Sequence, residues 1–144
     1  PTDSNVTVPI GKANVLKEGS DVSIVAFSIM VGKALEASEQ LSNEGIEAEV
    51  IDLRTIRPLD VETIIKSVKK THRIITVEEG WPTCGIGAEI SSLVCEEAFD
   101  YLDAPVKRVA GVDVPMPYAA NLEKLALPQS SDIVSAAKAV CYRS

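Results

Sequence analysis

Basic clusters, paired cysteines, long apolar runs and histidine are what this sequence has little of, and each scarcity excludes something. Lys and Arg together number 14 against 21 Asp and Glu, for a formal net charge of −7. No cluster of Lys or Arg interrupts that acidity, so a phosphate backbone is repelled and nucleic acid is not expected as a partner. The acidity serves solubility first; its more specific use is to meet a basic partner domain. The three cysteines, Cys84, Cys95 and Cys141, are odd in number and lack C-x-x-C spacing. That argues against a disulfide framework and against a zinc site. They read as reduced thiols of an intracellular protein, each a small buried apolar group. No apolar run approaches the ~20 residues that span a bilayer, and no signal-peptide pattern is present. A membrane is therefore not expected as a partner. The chain begins with Pro1 rather than Met, which reads as a fragment or a processed product.

What is present fits one α/β domain. A chain of 144 residues buries about 68–70% of the surface its unfolded form exposes, enough for a core without metal or disulfide staples. Residues 1–12 read as the end of a linker, and 13–144 as the domain. A short strand at 13–16, the turn Glu18-Gly19-Ser20-Asp21 and the apolar run 22–27 suggest a hairpin leading into a buried strand. The period turns helical over 31–44, where Val31, Ala34, Leu35, Ser38 and Leu41 share a face and Gly45 stands where a C-terminal cap belongs. Strands follow at 49–53, 73–77 and 105–109. Asp60 caps a helix striped by Val61, Ile64, Ile65 and Val68. A glycine-bearing loop opens another helix at about 87–99, and Ser131 or Asp132 caps the last one, ending at Val140. Continuous apolar strands alternating with helices predict a three-layer fold. Its five-stranded sheet is mostly parallel, with one antiparallel edge strand and helices on both faces.

The stretch 111–130 breaks this regularity. It holds Pro115, Pro117 and Pro128 and shows little clean periodicity. Long loops of this kind in compact domains are often functional or lie at interfaces. Its Val112, Val114, Met116, Tyr118, Leu122, Leu125 and Leu127 need cover, either from the domain's own core or from another subunit.

Candidate chemistry is thin. Gly85-Ile86-Gly87 follows a strand and precedes a helix, and Asp52 ends another strand, which invites a nucleotide-binding reading. Yet a dinucleotide site wants G-x-G-x-x-G in the first such turn and its acid on the following strand. Here Ile90 stands for the third glycine and Asp52 precedes the pair. Gly32-Lys33 lacks the other residues of a P-loop. His72, the only histidine, could pair with Cys84 or Ser28 and an acid such as Glu78. It precedes a strand, however, at the amino edge of a parallel sheet, where a surface or helix-end role is expected. Glu78-Glu79 do lie at a strand's carboxyl end, where a carboxylate pair could act as acid and base or bind a metal, but no second cluster of Asp, Glu or His completes such a site. Alternatively they cap the next helix or meet Arg54 and Arg57; the ion pairs are the favoured expectation.

Longer motifs are more specific. Pro9-Ile10-Gly11-Lys12-Ala13, the run from Glu49 to Pro58, Val77-Glu78-Glu79-Gly80 and Gly85-Ile86-Gly87-Ala88-Glu89-Ile90 resemble the C-terminal domain shared by transketolase-like thiamine enzymes. Leu102-Asp103-Ala104-Pro105 and the run from Asp113 to Ala119 narrow the resemblance to β subunits of pyruvate dehydrogenase components, mitochondrial type. The branched-chain oxoacid enzyme's β subunit is similar. An independent nucleotide-binding enzyme domain stays as the alternative. The resemblance implies a parent α₂β₂ enzyme that uses thiamine diphosphate and Mg, decarboxylates pyruvate and acetylates lipoyl groups in the mitochondrial matrix. The glutamate that activates the cofactor belongs to a preceding domain and has no match here. No catalytic residue, cofactor or metal is therefore implied for this chain itself. The implied partners are a second β subunit, the α subunit and the peripheral subunit-binding domain of the acetyltransferase. Asp103 and the terminal carboxylate of Ser144 are the implied docking positions. Val114, Met116, Tyr118 and Leu122 are the expected subunit interface.

Overall fold

The computed structural model of the chain describes residues 7–143. Ser144 and the first half of the expected linker end lie outside the described residues. Five strands, β1 (Asn14–Lys17), β2 (Val22–Ala26), β3 (Ala48–Asp52), β4 (Ile74–Val77) and β5 (Lys107–Val109), form one sheet in the order β1-β3-β2-β4-β5. β2 runs parallel to β3 and β4, and β4 parallel to β5; β1 alone is antiparallel. Every residue of β2 and β4 is buried, as continuous apolar runs require when both faces are covered.

The antiparallel edge strand is where it was expected, but the hairpin is not. β1 pairs with β3, Val15 opposite Ile51, instead of with β2. The turn explains this. Ser20 and Asp21 donate their backbone N–H to Glu47 O at 3.0 and 2.9 Å, and the Asp21 carboxylate accepts from Glu47 N at 2.7 Å. A Cβ on Gly19 would lie 2.3 Å from the backbone of Ala48 and Glu49. The turn is thus tied to the start of β3, and half-exposed β1 takes the edge while fully buried β2 takes the centre.

Helices α1 (Met30–Asn43) and α5 (Ser130–Val140) cover one face; α2 (Val61–Thr71) and α3 (Ile86–Ala98) cover the other. Their ends follow local chemistry. Gly45, at φ +76°, ends α1. Asp60 caps α2 by accepting from Thr63 N at 3.2 Å and also holds Ala13 N at 3.0 Å. Burial alone would raise the Asp60 pKa, but the hydrogen bonds from Ala13 and Thr63 outweigh it and hold the carboxyl below its ordinary 3.8. α5 corrects the sequence reading: Gln129 is its cap, and Asp132 reaches back to accept from Gln129 N at 2.8 Å. A further short helix, α4 (Ala120–Ala126), stands inside the stretch expected to be irregular. It buries only Ala126, so no apolar stripe announced it.

Candidate functional site

The loops that follow β2 and β4 meet at the carboxyl edge, where the connection from β2 leads toward one side of the sheet and that from β4 toward the other. Ligand sites in open α/β sheets favour such a switch point. Glu78 sits there, 3% exposed. Its two carboxylate oxygens accept the backbone N–H of Ile86 at 2.9 Å and of Gly87 at 3.0 Å. Cβ atoms on Gly85 and Gly87 would come within 2.6 and 2.8 Å of those oxygens. The G-x-G pair therefore exists to admit a carboxylate to the N-terminus of α3, where the helix dipole favours an anion. The seat a phosphate would take in a nucleotide site is filled by the chain's own acid.

The ion pairs are not those expected. Glu78 faces Arg108 on β5 at 3.8 Å, while Arg54 lies 3.9 Å from Asp52. β2 stands between β3 and β4, so the ends of those two strands are not neighbours. Glu79 instead accepts from Ser28 Oγ at 3.1 Å, bridging the switch point. Thr76 Oγ1 and Arg108 Nε are buried without a partner; both lie against Gly87, where an added Cβ would meet them at 2.5 and 3.2 Å.

The same edge carries an apolar surface. Gly111 N donates to Gly80 O at 2.8 Å and Trp81 Nε1 to Val114 O at 3.0 Å, so the β4–α3 loop shapes the start of the 111–130 stretch. Val114, Met116, Tyr118 and Leu122 are all exposed, as are Val112 and Leu125. The domain does not cover them itself. Trp81, exposed and bonded to Val114, extends the surface, and Ile29, where β2 leads into α1, is exposed at the same edge; the sequence reading missed both, because they come from loops distant in the chain.

Asp103 lies at the opposite, amino edge, between a turn of 3-10 helix (Phe99–Tyr101) and β5. Its backbone N donates to His72 O at 2.9 Å, its carboxylate is 3.2 Å from Arg73 Nη2, and Tyr142 OH donates to its carbonyl at 3.0 Å. The carboxylate stays half-exposed. His72 is a helix-end residue: it ends α2 at φ 61° and its Nδ1 is 2.9 Å from Tyr101 O. It stands at the amino edge, away from the switch point that holds Glu78. The cysteines depart from expectation: Cys84 and Cys95 are exposed and only Cys141 is part-buried, where burial pushes its thiol up.

A cleft of about 830 Å³ opens between the β3–α2 loop and α3, walled by Ile56, Leu59, Val61, Ile86 and Leu93, with Arg57 at its rim. It draws on two segments about thirty residues apart, and nothing local announced it. Among the described residues no group of three or more His, Cys, Asp or Glu is placed to hold a metal ion, and no helix is long and apolar enough to cross a membrane.

Comparison with known proteins gives a consistent picture. The family described as transketolase, C-terminal domain, matches residues 11–133. A mitochondrial pyruvate dehydrogenase E1 component subunit beta-1 from Arabidopsis thaliana is 65% identical over 142 residues, 99% of this chain and 39% of that protein. The E1 component subunit beta of Rickettsia felis is 61% identical over 95% of this chain and 42% of its own length. The chain thus spans about two fifths of the curated relatives it matches. Among solved structures, a split-gene transketolase, titled an inactive β4 tetramer, superposes with TM-score 0.83 and 36% identity, covering 97% of this chain and 44% of that one. A Pichia stipitis transketolase mutant, TM-score 0.60 and 17% identical over 92% of this chain and 18% of its own, shares the fold.

Proposed function

The chain belongs to the transketolase C-terminal domain family, and from that premise we propose that it is the C-terminal domain of a pyruvate dehydrogenase E1 β subunit, serving assembly and docking. The observation that carries the reading is 65% identity to such a subunit across 99% of the chain. The parent enzyme then decarboxylates pyruvate and acetylates lipoyl groups with thiamine diphosphate and Mg. The described residues do not fit that cofactor: Glu78 fills the glycine-lined N-terminus of α3, and no metal-ligating cluster is formed among them. This domain's share is mechanical. Its uncovered carboxyl-edge surface, centred on Val114, Met116, Tyr118 and Leu122, fits contact with a second β subunit and with the α subunit. Its amino edge, with Asp103, fits a basic peripheral subunit-binding domain of the acetyltransferase; Ser144, the other implied docking position, lies outside the described residues. The mitochondrial names of relatives support the matrix as its compartment. Nucleic acid and membrane are poor partners for so acidic a surface.

Thiamine diphosphate and pyruvate added to this chain alone are expected to give no decarboxylation. The same chain, fused behind the unmatched N-terminal portion of the Arabidopsis subunit and combined with its α subunit, is expected to support pyruvate-dependent lipoyl acetylation. An inactive, correctly assembled hybrid overturns the reading. So does saturable micromolar binding of NAD or ATP by the chain itself, which would favour a nucleotide-binding domain.

A further inference from the structure

The large cleft is not used by either of these surfaces. Its walls are apolar side chains from the β3–α2 loop and from α3, and its charged lining residues, Arg57 and Glu89, are both exposed. Small-molecule sites set a few convergent, buried polar groups into an apolar lining; this cleft has none. An uncovered apolar concavity of that kind suits a packed polypeptide.

The position of the cleft says which polypeptide. The incoming chain is fastened to the β3–α2 loop before β1 begins. Gly11 N donates to Thr55 Oγ1 at 3.0 Å and Ala13 N to the Asp60 carboxylate at 3.0 Å. Gly11, at φ +74°, lies so close to Pro58 that an added Cβ would be 2.9 Å from its ring. Ile56, Arg57 and Leu59 of that same loop form one wall of the cleft. Whatever precedes this domain in a longer chain is therefore delivered beside the cleft. The relatives are more than twice as long as the match, and the family is by its description a C-terminal domain. We infer that the cleft between the β3–α2 loop and α3 is the seat of an apolar segment from the preceding domain of the same polypeptide. The inference rests on the proposed function only in assuming such a domain. Tethering explains why an open cleft suffices: a linked segment acts at millimolar effective concentration and needs little intrinsic affinity.

Two exposed thiols provide the test. Cys84 lines the cleft, whereas Cys95, also exposed on α3, is not among its walls. Maleimide labelling of each is compared between this chain alone and the chain fused behind the N-terminal portion of the Arabidopsis subunit. Labelling of Cys84 should slow at least tenfold in the fusion while Cys95 is unchanged. Leu93→Asp, on the α3 wall, should restore the Cys84 rate; Arg57→Glu, at the exposed rim, does the same with less risk to folding. Equal Cys84 rates in the two forms overturn the inference, as does failure of both substitutions to restore the rate. Slowing that appears only when the α subunit is added, or only at concentrations where this chain self-associates, also overturns it by giving the cleft another occupant. Lipoyl acetylation by the same fusion with its α subunit is read separately. An active fusion with an open cleft refutes the inference alone, and an inactive fusion with Cys84 protected refutes the proposed function alone.

Discussion

Asp103 holds two relationships at once. Its carboxylate is paired with Arg73 at 3.2 Å, yet it remains half-exposed at the amino edge. An exposed pair of this kind contributes about 0–1 kcal/mol to stability, so Asp103→Asn should lower the melting temperature slightly. If a partner's cation desolvates the carboxylate, the same change should weaken docking of the peripheral subunit-binding domain by about 2–5 kcal/mol. Arg73→Met separates the two effects. It removes the internal pair but keeps the acid, so docking should be kept or strengthened while stability falls as in Asp103→Asn. Titration of the binding domain against the three forms at two salt concentrations checks this. Equal affinity for Asp103→Asn and the unsubstituted chain would leave Asp103 with a structural role only.

At the scale of the element, two helical glycines look alike in sequence and should respond oppositely. Gly32, exposed in the first turn of α1, has nothing within 4 Å of an added Cβ. Gly32→Ala should therefore stabilise by up to about 1 kcal/mol, the helix-propensity difference. Gly87, in α3, gains the same propensity, but its Cβ would lie 2.5 Å from Thr76 Oγ1 and 2.8 Å from the Glu78 carboxylate. Both neighbours are anchored, one on β4 and one by two backbone amides, so neither can give way cheaply. Overpacking of this kind costs about 1–3 kcal/mol, which exceeds the propensity gain, and Gly87→Ala should destabilise. Urea denaturation measures both; a stabilised Gly87→Ala would show that the Glu78 seat is loose.

The whole molecule places the two surfaces proposed for partners at opposite ends of the sheet, because the turn holding Asp103 precedes β5 and the apolar stretch follows it. Self-association and docking should therefore vary independently, as distant sites do. Met116→Asp and Tyr118→Asp, both at exposed positions, should shift sedimentation toward monomer without changing affinity for the binding domain. Asp103→Asn should do the reverse. The β4 tetramer of the split-gene transketolase is a precedent for self-association in a 36% identical relative. A chain that stays monomeric at high concentration would place the function of the apolar edge elsewhere.

By itself the sequence determined the five strands, four of the five α-helices, the mostly parallel sheet and the family. Strands buried on both faces must be apolar throughout, as in Val22–Ala26 and Ile74–Val77, and caps such as Asp60 and Gly45 act on residues a turn away. Such constraints are local and leave a local pattern. The tertiary structure alone decided that β1 lies beside β3, that Glu78 answers to α3 and Arg108 instead of Arg54 and Arg57, and that α4 forms while burying a single residue. It alone left Cys84 exposed in a cleft beside the incoming chain. Each of these turns on which strand is inserted between two others and on which loops then meet, contacts between residues far apart in the chain that no helical or strand period records.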